Sequence, residues 1–267
     1  MRLAVFSDIH GNLHAFQAAL ADFEARGRAD NIWFLGDYAA FGTRPADCVR
    51  IVREMIAAAD ADESTKGTIR YIRGNTDRYL VTGERPAQDP ITEADKLARA
   101  IKGLQAIHDA LMWGTSQLTF ADYEFLMKLG TDCELYVPGF GNIVGYHGTP
   151  GDDEGRVLAP DADEEVASDA LLIREGRLGI GGHIHVQMDR MLRNGWRAVN
   201  VGSVGLSYDQ PGFAQYGYFT FENGGMTVEL RSVPYDIEAA AADIRAVSYP
   251  ESSVKFAEMR LRQTKMG

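Results

Sequence analysis

Leu3-Ala4-Val5-Phe6 runs through Ser7 into Asp8-Ile9-His10-Gly11-Asn12. The first half is a short apolar run without alternation, the pattern of a strand buried on both faces. The second half puts an Asp and a His two residues apart where that strand ends. Both side chains can then face one metal ion. Four more segments carry polar residues of the same kinds: Gly36-Asp37, Gly74-Asn75-Thr76-Asp77, His147-Gly148 and Gly182-His183-Ile184-His185. Asp8, Asp37, Asn75, His10, His147, His183 and His185 together amount to two carboxylates, one amide and four imidazoles. That is a ligand set for two adjacent metal ions.

The surrounding pattern indicates how these segments are held. Apolar runs recur at Leu3 to Phe6, Ile32 to Leu35, Ile69 to Ile72, Ile143 to Tyr146 and Leu178 to Gly181. Helical stripes lie between them. Leu13, Phe16, Leu20 and Phe23 form one, Cys48, Ile51, Val52, Met55 and Ile56 a second, and Leu97, Ile101, Leu104, Ile107 and Leu111 a third. Thr119 reads as the N-cap of a fourth helix. Strand–helix alternation implies a layered α/β fold. After residue 185 the pattern changes. Asn194-Gly195 and Asn223-Gly224-Gly225 each separate two apolar segments, which reads as two hairpins. Closing helices are expected over 236–247 and 251–264, and Asp161 to Asp169 reads as a solvated loop and helix start. The whole chain, 1–267, is read as one domain.

Net charge is −11 and hydrophobic content 45%, enough for a sizeable core. The negative field opposes bulk binding to nucleic acid or an anionic membrane. It leaves room for a small phosphorylated substrate, because a metal centre inverts the local field. Cys48 and Cys133 match no zinc or redox spacing and read as buried thiols. No stretch approaches the ~20 apolar residues of a membrane span. Nothing resembles a signal peptide, so a cytoplasmic location is expected.

In such sheets, ligands gather at the carboxyl ends of strands. Of the six histidines, four (His10, His147, His183 and His185) occupy those slots. Their O and N donors suit Mn, Fe, Zn, Co or Ni, and the lack of a thiolate argues against a structural zinc site. Two ions about 3.5–4 Å apart can clamp the attacking and leaving oxygens of a phosphoryl group. A water bridging them loses a proton near neutral pH and becomes the nucleophile. A bridging anion is needed to hold such cations together, and Asp37 is the natural candidate.

The order Asp-x-His-Gly-Asn, Gly-Asp, Gly-Asn-x-Asp, His-Gly and Gly-His-x-His resembles the calcineurin-like metallophosphoesterase superfamily, especially its small bacterial and archaeal phosphodiesterase-like members. The likeness runs from Met1 to about Gln210. It takes in Val199-Asn200-Val201-Gly202-Ser203-Val204-Gly205, which is similar to the Asn-Pro-Gly-Ser segment of those members. The resemblance implies a four-layer α/β/β/α sandwich of two mixed sheets. It implies Asp8, His10 and His185 on the first metal, Asn75, His147 and His183 on the second, and Asp37 between them. Asp77 would orient the motif that contains Asn75. Asp37, Asn75, Asp77 and His147 are then the catalytic set, and Asn75, Arg44 and His14 the candidate substrate contacts. Two divalent cations are expected, manganese first among them.

The chain departs from the family pattern in two places. Many members have a His that protonates the leaving oxygen in the slot held here by Thr76, and a threonine hydroxyl cannot act as general acid near neutral pH. Such help is worth ~10²–10⁴-fold. His14 is either a substitute donor or a helix residue without a catalytic role. In Gly36-Asp37-Tyr38-Ala39-Ala40-Phe41-Gly42-Thr43-Arg44 the second Asp of protein Ser/Thr phosphatases is missing. Arg44 either reaches a phosphate oxygen or caps the turn before Pro45, and Arg78 is a further candidate. Asn12 either fixes the first loop or caps the first helix. Asp152-Asp153-Glu154 either repels charged substrates, binds a cation or is a solvated loop.

The expected function is a dinuclear metal-dependent phosphoesterase, a hydrolase in which metal-bridging hydroxide attacks and phosphodiesters are preferred. The alternatives are a phosphomonoesterase (a protein or nucleotide phosphatase, or a dinucleotide polyphosphate hydrolase) and a non-catalytic scaffold of the same fold. A helical insert around 85–130 reads as a cap over the site or a dimer surface, which leaves a homo-oligomer open.

Overall fold

The computed structural model describes residues 1–88 and 90–263, so the expected helix end at 264 lies outside the described residues. Strand β1 (Arg2–Phe6) pairs in parallel with β2 (Asn31–Phe34), and β2 with β3 (Ile69–Tyr71). The late hairpin β9 (Phe213–Glu222) and β10 (Gly225–Pro234) joins antiparallel to β1, giving the order β10-β9-β1-β2-β3. The second five-stranded sheet has the order β4-β5-β6-β8-β7. It comprises β4 (Asp132–Val137), β5 (Gly141–Tyr146), β6 (Gly176–Gly181), β7 (Gln187–Met191) and β8 (Arg197–Val201). Both sheets are mixed.

Side-chain alternation builds the layers. From β1, Leu3 and Val5 point between the sheets and meet Ile143, Leu178, Ile180, Val199 and Val201 of the second sheet. Ala4 and Phe6 point the other way, onto a helical layer. That layer contains α1 (Leu13–Arg26), α2 (Pro45–Asp60), α3 (Asn75–Thr82), α4 (Ala94–Gln117), α5 (Phe120–Met127), α7 (Ile237–Ala246) and α8 (Glu251–Arg262). Helix α6 (Glu164–Leu172) covers the far face of the second sheet through Ala167 and Leu171. The result is the expected α/β/β/α sandwich.

Most local readings hold. Phe16 and Phe23 are buried on α1, and Cys48 and Val52 on α2. Thr119 caps α5, with its side chain accepting from Asp122 N–H while the Asp122 carboxylate accepts from Thr119 N–H. Cys48 is buried, Cys133 half-buried, and both are free. The stripe on α4 needs correction. Leu111 is buried, but Leu97, Ile101 and Leu104 are exposed, because only the C-terminal half of this helix lies against the body. Strand β4 is absent from the sequence reading. Its sequence Asp-Cys-Glu-Leu-Tyr-Val mixes charge with apolar residues, as suits a strand at the sheet's edge. Among the described residues no helix is long and apolar enough to cross a membrane.

Candidate metal centre

Each expected ligand follows a strand of the two sheets, and the two strand ends meet at one buried point. Asp8 follows β1, Asp37 follows β2, Asn75 opens α3 after β3, His147 follows β5, and His183 and His185 follow β6. The backbone there is bent sharply. Asp8, His10, Asp37, His183 and His185 have φ of 56°, 51°, 57°, 68° and 57°. Asp and His tolerate this left-handed region better than most residues, yet each such residue costs of order 1 kcal/mol. The loops hold it with cross-bonds. His10 N–H donates to Asp37 O, Asp8 N–H to Gly36 O, and Gly205 N–H to Asp8 O. Ser203 Oγ also donates to Asp8 O, and Asn200 Nδ2 to Gly182 O, so the 199–205 segment braces the ligand loops from behind.

Asp77 ties two of these loops together. Its carboxylate accepts N–H bonds from Gly74 (3.0 Å), Asp37 (2.7 Å) and Tyr38 (3.0 Å). Burial and the nearby Asp37 charge push its carboxyl up to about 7, against the pull of those three donors. Asn12 does both things expected of it. Its Oδ1 caps α1 at Ala15 N–H, and its Nδ2 donates to Gly205 O.

Three imidazoles are aimed by the same device. His10, His147 and His185 each place Nδ1 against a backbone carbonyl: Ala40 O at 3.0 Å, Leu35 O at 2.6 Å and Leu206 O at 2.7 Å. A carbonyl only accepts, so Nδ1 carries the proton and Nε2 faces the site. His183 differs, turning Nδ1 toward Asn75 Oδ1 at 3.2 Å.

The donors fall into two groups. Asp8, His10, Asp37 and His185 bring one ligand atom each within 4.8 Å of one another. On the other side, His147 Nε2 and His183 Nδ1 both face Asn75 Oδ1, at 3.1 and 3.2 Å. Asp37 Oδ2 stands between the groups, 3.5 Å from His10 Nε2 and 3.5 Å from His147 Nε2.

These residues fit a divalent cation on two observations. Asp8 Oδ1 is buried and accepts no hydrogen bond among the described residues, although His185 Nε2 is 3.2 Å away. A buried carboxylate oxygen in that condition lacks a partner it should have. The glycines beside the ligands also leave the carboxylates room. A Cβ on Gly74 would lie 2.1 Å from Asp37 Oδ1, and one on Gly182 would lie 2.4 Å from Asp8 Oδ2.

The electrostatics agree with this fit. Burial opposes ionisation of Asp8, but His185 and His147 overrule it and hold the carboxyl down to about 2. Asp37 is held far below the usual carboxylate range; burial resists, and His147 prevails. Burial pushes His10 down to about 3, and burial with the His147 charge pushes His183 down to about 4. Both are then neutral near pH 7, the state that ligates metal. His147 goes the other way. Burial opposes its proton, yet Asp37 and Asp8 push it up to about 10.

A cleft of about 250 Å³ opens over these groups, lined by His10, Asp37, Asn75, Thr76, His183 and His185. Thr76 N–H donates to Asp37 Oδ1, while its hydroxyl is buried without a partner among the described residues. Three candidate substrate contacts are turned to other partners. Arg44 and His14 do not line the cleft; both pair with Asp243 of α7. Arg78 is spent on Asp153 and Glu84. Asp153 is buried between Arg78 and Arg73, while Asp152 and Glu154 are exposed, so the 152–154 loop is solvated and anchored at its middle residue. Arg156, Tyr208 and Arg260 line the cleft instead, with Pro86 and Ile107 from the 85–130 segment. No motif marks those three in the sequence, because they come from separate loops and from a helix near the end.

Residues 1–224 match the family model for the calcineurin-like phosphoesterase superfamily domain. Over 263 residues the chain is 27% identical to an uncharacterized protein of Methanocaldococcus jannaschii, covering 93% of this chain and 94% of that one. It is 25% identical to a metallophosphoesterase of known structure from Sphaerobacter thermophilus, with a TM-score of 0.65 and 98% of both chains covered. A hypothetical protein from Pyrococcus horikoshii shares the fold at a TM-score of 0.75 and 20% identity, over 100% of this chain and 99% of that one.

Proposed function

This chain belongs to the calcineurin-like phosphoesterase superfamily, and from that premise we propose that it hydrolyses phosphate esters with two divalent metal ions, preferring phosphodiesters. The observation that carries the reading is the position of Asp37 Oδ2, 3.5 Å from a histidine of each donor group. Asp8, His10 and His185 would hold one cation, Asn75, His147 and His183 the other, and Asp37 both. When bound, such ions supply the charge that generates hydroxide near neutral pH and stabilises phosphoryl oxygens.

The chain's own residues do the rest. The three Nδ1–H···O=C bonds fix the rings so that their Nε2 atoms converge on one place. Asn75 brings a neutral oxygen, which limits the negative charge a phosphate must approach. Thr76 gives its backbone N–H to Asp37, and its hydroxyl has no acidity to offer a leaving group. His14 makes up no deficit, since it faces Asp243. The leaving oxygen then departs without protonation by a histidine, which favours esters with good leaving groups. This supports diesters with acidic leaving alcohols over alkyl monoesters.

The test compares bis-p-nitrophenyl phosphate with p-nitrophenyl phosphate, using protein stripped by a chelator and re-supplied with Mn²⁺. Turnover should vanish on chelation, return with metal and favour the diester. Dominant monoester turnover would overturn the preference, and activity indifferent to Asp37→Ala would overturn the metal mechanism.

A further inference from the structure

Arg260 lines the cleft without a carboxylate partner among the described residues, a condition it shares with Arg156. Arg44 is paired with Asp243, and Arg78 with Asp153 and Glu84. Arg260 instead rests on uncharged aromatic groups. Its guanidinium carbon lies 4.5 Å from the centroid of Phe41 and 5.4 Å from that of Phe256. One terminal nitrogen donates to Tyr208 Oη at 3.0 Å, and Nε is buried with no partner among the described residues.

Those supports lead directly to the metal centre. The Phe41 ring lies 5.8 Å from the His10 ring, and the Tyr208 ring 4.5 Å from the His185 ring. Arg260 is therefore fixed, through two aromatic rings, to both imidazoles of the first donor group. Its charge remains intact in a chain of net charge −11. A guanidinium has five N–H donors in a rigid fork that matches two oxygens of a phosphate. Only one of the five is bonded to Tyr208.

We propose that Arg260 binds a non-bridging oxygen of the substrate's phosphate, as the clamp that Arg44 would otherwise have been; this rests on the phosphoesterase reading above. The clamp comes from α8, beyond residue 224 where the family match ends. Helix α8 thus completes the substrate site that the matched region leaves open on this side. Arg156, on the loop after β5, is a second cation lining the same cleft.

The experiment uses full-length Mn²⁺-loaded protein as wild type, Arg260→Gln, Arg260→Lys and Arg262→Ala, with bound metal measured for each. Inorganic phosphate is titrated calorimetrically, and kcat and KM are measured for bis-p-nitrophenyl phosphate. Loss of a hydrogen bond to a charged group predicts phosphate affinity and KM each weakened by about 10- to 100-fold in Arg260→Gln, with metal content unchanged. Arg260→Lys should recover part of the loss, since it restores charge without the fork. Arg262 pairs with Glu238 on the surface, so Arg262→Ala should match wild type. Unchanged phosphate binding and KM in Arg260→Gln would overturn the proposal. So would loss of metal in both Arg260 variants, which would make the side chain a packing element. Wild type that binds phosphate through Arg260 but turns over no ester would support the clamp and overturn only the hydrolase reading.

Discussion

His10 Nε2 and His185 Nε2 face each other at 3.1 Å, although each ring already has its Nδ1 against a carbonyl oxygen. His10 is held neutral near pH 7, so its Nε2 is a bare lone pair. Only a cation or a proton between the rings reconciles that contact. A bound metal should therefore stabilise the fold markedly. At a free metal concentration 1,000 times Kd the gain is about 4 kcal/mol. Thermal unfolding with Mn²⁺ and with excess chelator checks this, and equal Tm values would contradict it.

Metal binding should release protons. His147 is pushed up to about 10, so near pH 7 it carries a proton that a cation must displace. Apparent affinity should rise with pH up to about 10 and fall below it. Calorimetric titration in two buffers of different ionisation enthalpy gives the number of protons released. A value of zero at pH 7 would count against this arrangement.

Gly74 should tolerate no side chain. In Gly74→Ala the new Cβ would sit 2.1 Å from Asp37 Oδ1, forcing aside the carboxylate shared by both donor groups. Metal affinity should fall by about 10- to 100-fold, as when a supporting contact is lost. Asp77→Asn should act in the same direction, because the amide cannot accept from all of Gly74, Asp37 and Tyr38 as the carboxylate does. Both are read by metal titration and by retained Tm in chelator.

Asp153 should matter for stability and not for chemistry. It is buried between Arg73 and Arg78, and Asp153→Ala should cost about 1–2 kcal/mol, because Arg73 loses its carboxylate while Arg78 keeps Glu84. Burial alone would raise its carboxyl, but Arg78 holds it below the usual value of 3.8. A depressed pKa contributes stability above the unfolded value, lost as pH falls through the folded one. The wild type should thus lose stability below about pH 4 more steeply than Asp153→Ala, as urea midpoints across pH 2–6 would reveal.

Arg44→Ala should leave phosphate affinity unchanged. The side chain is bidentate to Asp243, with the ion pair partly exposed, so removing it should cost about 1 kcal/mol of stability. A tenfold rise in KM would restore Arg44 to the substrate site and weaken the case for Arg260.

The elements were legible because their signals are local. Short apolar runs ending in Asp, His or Asn specify strand ends without reference to the rest of the chain, and the Asn-Gly and Asn-Gly-Gly turns specify hairpins. The list of donors follows from the same signals. Helix α4 misled because period shows which residues share a face, but not how much of that face meets a partner; Leu97 and Ile101 remain in solvent.

Sequence alone determined the fold class and the list of candidate donor side chains, since both depend on residue type and short-range spacing. Tertiary structure decided which donors share a point in space, with Asp37 Oδ2 equally distant from His10 and His147. It also decided which arginines face the cleft. Arg44 is near the ligands in the chain, yet Asp243 draws it away, while Arg260 arrives from α8 and is seated on Phe41 and Tyr208. The physical reason is that a long cationic side chain takes its place from partners far away in sequence, and local spacing holds no record of them.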